Sequence, residues 1–210
     1  LRNVIKNKMI RPTTIPQLLE ELKIEQALAK EALRLSLVQH KELAVSLKGV
    51  QQKRTISDVM GQSGQGNTIV NMMTLNLIIG SGGVLSHAPR RGQSLSMIID
   101  SFEPEGITRI AVDSIFMMPH LGVLSEVNVQ AAREIFEKDC LKYLGSCIAP
   151  VLRKGKPEKG VPCLKLTVEH PDKGTLNFDM KTGEVDFFEL GIEQTAKITA
   201  ELPNQFTMGN

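Results

Sequence analysis

The sequence predicts an α/β fold followed by an antiparallel β segment, on three observations. Short apolar runs of strand length, Leu75–Ile79 and Ile107–Val112, alternate with stretches of helical periodicity. A glycine turn, Gly80-Ser81-Gly82-Gly83, joins the first run to the helix after it. Beyond a charged stretch rich in glycine and proline, the apolar pattern changes to two-residue alternation. Strands alternating with helices imply a mixed, largely parallel sheet with helices packed on it. The expected organisation is an α/β domain over residues 1–152, a linker at 153–160 and an antiparallel β segment over 161–210.

The elements follow in chain order. Thr14-Ile-Pro-Gln17 resembles a capping box, and Leu18, Leu22, Ala29 and Leu33 recur at helical steps, so a long amphipathic helix is expected to about Leu47. Gly61–Asn67 holds three glycines in seven residues and reads as a surface loop. A helix is expected from Gln93 to Phe102, ended by Glu103-Pro-Glu-Gly106. Val127–Leu144 reads as another, with Ala131, Ala132, Ile135, Phe136, Cys140 and Leu141 on its inner side. Leu164–Glu169, Thr175–Met180, Glu184–Leu190 and Thr195–Leu202 read as strands of a meander, with turn signals at Pro171–Gly174 and Lys181–Gly183.

Composition limits the function. The chain has 210 residues, 41% hydrophobic and 23% charged, enough for one sizeable core or two small ones, which excludes general disorder. A net charge of +2, no Trp and one Tyr leave little for a polyanion to bind, so no nucleic-acid partner is expected. No apolar run reaches about 18 residues, so no membrane-spanning helix is expected either. Three cysteines form no CxxC pair and are expected as reduced thiols, which fits a cytoplasmic location. A first residue of Leu1 rather than Met reads as a piece of something longer.

The sharpest chemical signal is Gly80, Ser81, Gly82 and Gly83. Glycines let a ligand approach the backbone closely, and amides at the following helix start favour an anion or a polar ligand edge. The segment lacks the Lys-Ser/Thr of a phosphate loop, and Leu85 stands where a dinucleotide fingerprint has its third glycine. Nucleotide contact and a tight structural turn both remain open. His87, Arg90 and Arg91 follow at once and are candidate anion contacts; the other reading pairs the arginines with Asp100 or Glu103. Met117-Met118-Pro119-His120 is either a partner surface or core filling, and the pattern favours core. His40, His87, His120 and His170 are dispersed and no HExxH occurs, so no metal ligand set is expected. No catalytic residue is assigned.

Several of these segments together resemble a known family. Arg11–Pro16, Glu25–Ala29, Leu47–Gln52, Ile78–Arg91 and Ala111–Leu124 are similar to the MutL family linked to glutamate mutase, which is distinct from the mismatch-repair protein of that name. The resemblance covers roughly residues 10–200. It implies an actin-like (ribonuclease H-like) ATPase fold. It also implies an ATP-dependent chaperone-like reactivating factor that expels damaged cobalamin from an adenosylcobalamin-dependent mutase or aminomutase. ATP or ADP with Mg2+ is the implied cofactor, and Ile78–Gly83 matches the superfamily's adenosine motif. The superfamily's Asp-x-Gly-x-Thr phosphate loop and second Gly-Gly-Thr turn are absent, so the chain looks like the later, adenosine-side part of the family's protein, without hydrolysis of its own. Two other functions stand beside this one. They are a nucleotide-independent module that docks on a mutase, and an enzyme using His87 and Asp113, the latter weakened because no acid and base pair can be read. For client contact the candidates are the Gly61–Asn67 loop, the Met117–His120 turn and, favoured, the β tail.

Overall fold

The computed structural model describes residues 1–44, 68–191 and 194–209. The predicted helix end near Leu47, the Leu47–Gln52 segment and the Gly61–Asn67 loop lie outside the described residues. The chain forms two compact units: one from Leu1–Asn71, Asn76–Glu103 and Arg109–Ser146, the other from Met72–Leu75, Pro104–Thr108 and Cys147–Asn210.

The first unit begins with helices α1 (Arg2–Ile10) and α2 (Leu19–Leu43), joined by a Lys8–Glu25 ion pair. The predicted cap at Thr14 is corrected. Thr14 Oγ1 donates to the Arg11 carbonyl at 2.9 Å, and it is Glu21 Oε2 that accepts from the Gln17 and Leu18 amides at 2.8 and 3.3 Å. A carboxylate in the first turn satisfies orphan amides and meets the positive end of the helix dipole, so the helix starts at Leu19 instead.

A three-stranded sheet has the order β1-β2-β3, with β1 (Leu77–Gly80), β2 (Gly106–Asp113) and β3 (Leu141–Ala149). The pair β1–β2 is parallel, in register from Leu77↔Arg109 to Gly80↔Val112. Between them run α3 (Gly83–Ser86) and α4 (Arg91–Phe102). Helix α4 buries Ser94, Met97, Ile98 and Ser101, spaced at helical steps, and ends at Glu103 in the left-handed region (φ 43°). Its partner is α2, where the Ser101 hydroxyl reaches the Lys30 carbonyl at 3.0 Å and Lys30 pairs with Asp100. The expected strand and helix around the glycine turn are thus present, each within a few residues of its predicted ends.

Two short helices follow, α5 (Met118–Ser125) and α6 (Val129–Ile135), the latter capped by Asn128 Oδ1 accepting from the Ala131 amide at 3.0 Å. The helix predicted over Val127–Leu144 is corrected: a π-helical turn, Phe136–Cys140, ends it and Leu141 opens β3. Among its predicted inner residues only Ala132 and Cys140 are buried, and Ile135 is exposed. The Cys140 carbonyl accepts from the Ser114 amide at 2.8 Å, so pairing beside β2 takes over from the helical ladder.

In the second unit β4 (Val151–Leu152) pairs antiparallel with β8 (Phe206–Thr207), and a three-stranded antiparallel sheet runs β6-β5-β7. Here β5 is Pro162–His170, β6 Gly174–Lys181 and β7 Lys197–Glu201. Leu164, Leu166 and Val168 alternate inward on β5 and bury against Phe206. The meander is corrected. Glu184–Leu190 forms no strand, and β7 returns to pair with β5, Leu166 standing opposite Ala200. The buried His170 ring fixes the irregular stretch. Its Nδ1 accepts from the Asp172 and Lys173 amides at 3.1 and 3.2 Å, which leaves Nε2 to donate to the Glu189 carbonyl at 2.8 Å.

Candidate functional site

The parallel strands β1 and β2 end side by side, and the glycine turn leaves the first of them. Ligands of α/β sheets gather at the carboxyl ends of parallel strands, because loops there are free to vary and helix starts face the crevice. The three glycines answer to different needs. Gly80 is buried, and a Cβ on it would come within 2.7 Å of Ile98 Cδ1 and 3.0 Å of Leu85 Cδ1, so its smallness serves packing. Gly82 has φ 104° and ψ 153°, a region open almost only to glycine, with nothing within 4 Å of a Cβ. Gly83 likewise meets open space. The backbone at Gly82 and Gly83 is therefore reachable from outside.

The residues just beyond are arranged as follows. His87 and Arg90 are exposed, and the Arg90 amide donates to Gln93 Oε1 at 3.0 Å, starting α4. Arg91 Nη1 donates to the Ser86 carbonyl at 2.9 Å, tying the start of α4 back to α3, while Asp100 is taken by Lys30. Arg90 then lines a groove of about 440 Å3 between α2 and the first turns of α4, together with Lys23, Gln26, Lys30, Gln93 and Ser96. Lys23 and Arg90 border it, Arg90 at the positive end of α4, while Lys30 is engaged by Asp100 in the last turn, and the Gln26 side-chain nitrogen is enclosed without a hydrogen-bond partner. Sequence reasoning missed Lys23, Gln26 and Lys30. Their three- and four-residue spacing was a signal that they share one helix face, but charge at such positions ordinarily marks a solvated face.

Asp113, the last residue of β2, is fully buried. Its Oδ2 accepts from the Met118 amide at 2.8 Å and from Ser81 Oγ at 3.3 Å, while Oδ1 is enclosed and unpartnered. Burial pushes the carboxyl up, but the Met118, Met117 and Ile115 amides and the Ser81 hydroxyl outweigh it, and the group is held below the usual aspartate value. Beside it, burial and the Asp113 charge push the Cys140 thiol up, consistent with an inert core residue. The core reading of Met117–His120 is corrected as well. Met118, Pro119 and His120 are exposed, and only Leu121 of α5 is buried.

A family model described as MutL protein matches residues 1–140, two thirds of the chain and all of the geometry just described. The chain belongs to the MutL family. No curated relative and no solved structure matches it. The MutL match begins with α1 and ends at Cys140, so it spans the glycine turn, the cationic groove and Asp113 while leaving β3 to β8 beyond it. Among the described residues no helix of this MutL-family chain is long and apolar enough to cross a membrane, and no group of three or more His, Cys, Asp or Glu gathers to hold a metal ion.

Proposed function

We propose that this MutL-family chain is the adenosine side of a cytoplasmic, ATP-dependent, chaperone-like factor, built on an actin-like fold, that releases damaged cobalamin from an adenosylcobalamin-dependent mutase or aminomutase. The observation that carries the reading is the cationic groove at the start of α4, a few residues after a glycine turn with reachable backbone. Adenosine offers ring nitrogens and ribose oxygens as acceptors. The Lys23 and Arg90 side chains that line the groove are donors without exception, so their chemistry matches. Arg90 and Lys23 lie where a phosphate charge would be stabilised. Mg2+, when bound, would neutralise phosphate charge; the described side chains supply it no ligand cluster, so it would be held through the nucleotide. Without the phosphate loops the chain is expected to bind ADP weakly and to turn over no ATP.

Titration of the chain with a fluorescent ADP tests this. Gly82→Val places a branched side chain where the backbone conformation excludes it and where a ligand would approach, and Arg90→Ala removes a groove cation. Both should weaken binding by roughly ten-fold or more, the worth of one lost charged hydrogen bond. Unchanged affinity in both variants would overturn the reading.

A specific observation favours the nucleotide-independent docking module as the second reading. Phe116, Met118 and Val123 expose apolar surface, Val123 at 72%. Binding of a purified mutase with equal affinity in the presence and absence of nucleotide would select it. The enzyme reading has no comparable support: Asp113 is enclosed and engaged by amides.

A further inference from the structure

Asp113 touches two pieces of the chain that lie on opposite sides of it in sequence. On one side is the Ser81 hydroxyl of the glycine turn, at 3.3 Å; on the other is the Met118 amide, the first residue of α5, at 2.8 Å. One oxygen, Oδ2, serves both. The register explains why this pairing arises: Gly80 stands opposite Val112 in the parallel ladder, so the next residue on each strand, Ser81 and Asp113, leave the sheet together. The turn between Asp113 and Met118 also holds Phe116 at φ 58°, a left-handed conformation that a large side chain adopts only under constraint. The Met118 amide bond supplies that constraint, because it closes the turn around the carboxylate. Oδ1 meanwhile has no partner although it is fully enclosed.

We infer that Asp113 is a positioning residue that couples the glycine turn to the exposed apolar start of α5. A ligand edge that seats on Gly82 and draws the Ser81 hydroxyl away leaves the carboxylate to the amides of its own turn, the Met118 amide first among them. The Phe116–Met118 turn then tightens. A ligand that presses Ser81 onto the carboxylate has the opposite effect and loosens it. In either direction, events at the glycine turn are read out at Phe116, Met118 and Val123, apolar side chains that face outward. The direction in the nucleotide case rests on the functional reading above; the mechanical link through Asp113 does not.

Amide hydrogen exchange on the 210-residue chain separates the two. Ser81→Ala removes the hydroxyl without touching α5, so the link predicts that exchange of the Met118 amide changes at least five-fold, with no ligand present. Gly83→Ala, in open space two residues beyond the carboxylate contact, should leave Met118 exchange within two-fold of the parent. Asp113→Ala removes the oxygen that the Ser81 hydroxyl and the Met118 amide share; in that background the Ser81→Ala effect should disappear. An unchanged Met118 amide in Ser81→Ala, or an effect that persists unaltered in the Asp113→Ala background, would overturn the coupling. Addition of ADP forms the separate arm. If ADP binds and shifts Met118 exchange in the parent but not in Asp113→Ala, nucleotide is the ligand that uses the link. If Ser81→Ala shifts Met118 and ADP does not bind, the coupling stands and the nucleotide reading falls.

Discussion

Adding one methyl group at Gly80 should damage the first unit, although the same change three residues later should not. A Cβ at Gly80 would lie 2.7 Å from Ile98 Cδ1, about 1 Å inside ordinary carbon–carbon contact. Ile98 is completely buried, so its terminal methyl has no free space to enter. Overpacking of this kind costs about 1–3 kcal/mol, offset by about 0.4–1 kcal/mol from the stiffer unfolded chain. The net loss expected for Gly80→Ala is therefore about 1–2 kcal/mol, which at a urea m-value near ~2 kcal/mol/M moves the midpoint down by about 0.5–1 M. Gly83→Ala meets nothing within 4 Å and should be neutral or gain about 0.5 kcal/mol. Ile98→Val removes the very Cδ1 atom that collides. On its own it should cost about 0.5–1.5 kcal/mol, yet combined with Gly80→Ala it should cost less than the two losses added, with a coupling of about 1 kcal/mol. The sole tyrosine, Tyr143, belongs to the same unit and has the Arg109 guanidinium 5.6 Å from its ring centre, so tyrosine fluorescence follows this unfolding directly. Strict additivity of the double variant, or a neutral Gly80→Ala, would refute the packing account of this glycine.

Other consequences can be measured alongside. Gly82→Ala, forced to φ 104°, should lose about 1–3 kcal/mol through backbone strain alone, measured by the same urea midpoint. The folded value of Asp113 is depressed, so its contribution to stability is fully present above the unfolded aspartate value, about 3.9, and is lost as pH falls through the lower folded one. A thermal-unfolding series from pH 6 to pH 2 should show a steeper acid loss for the parent than for Asp113→Asn. His170→Phe leaves the Asp172 and Lys173 amides and the Glu189 carbonyl without their partner; a loss of about 1–3 kcal/mol should appear in the second unit, with faster exchange at Asp172 and Lys173. Val168→Ala, in the centre of β5 and fully buried, should cost about 2 kcal/mol or more by leaving a cavity.

What the sequence by itself determined was local. The helix at Arg91–Phe102 was legible because its apolar residues recur at helical steps and Glu103-Pro-Glu-Gly106 stops it; β2 was legible as a short stretch of strand length rich in Ile and Val, and the glycine turn as three glycines between the two patterns. These signals act within a few residues and need no partner. The tertiary structure decided everything that depends on a distant partner. The segment after Phe136 carries a helical pattern, yet a place beside β2 makes Leu141–Ala149 a strand. The alternating Glu184–Leu190 forms no strand although β6 is an edge strand; its Glu189 carbonyl is held by the buried His170 ring instead, and it is β7, later in the chain, that pairs with β5. The groove joins Lys23, Gln26 and Lys30 to Arg90, far along the chain, and only helix packing brings them to one place. Asp113 looked like an acid in search of a base. Folding instead buried it and gave its charge to two backbone segments, because a carboxylate at the end of a buried strand must find donors among whatever amides and hydroxyls the neighbouring turns present.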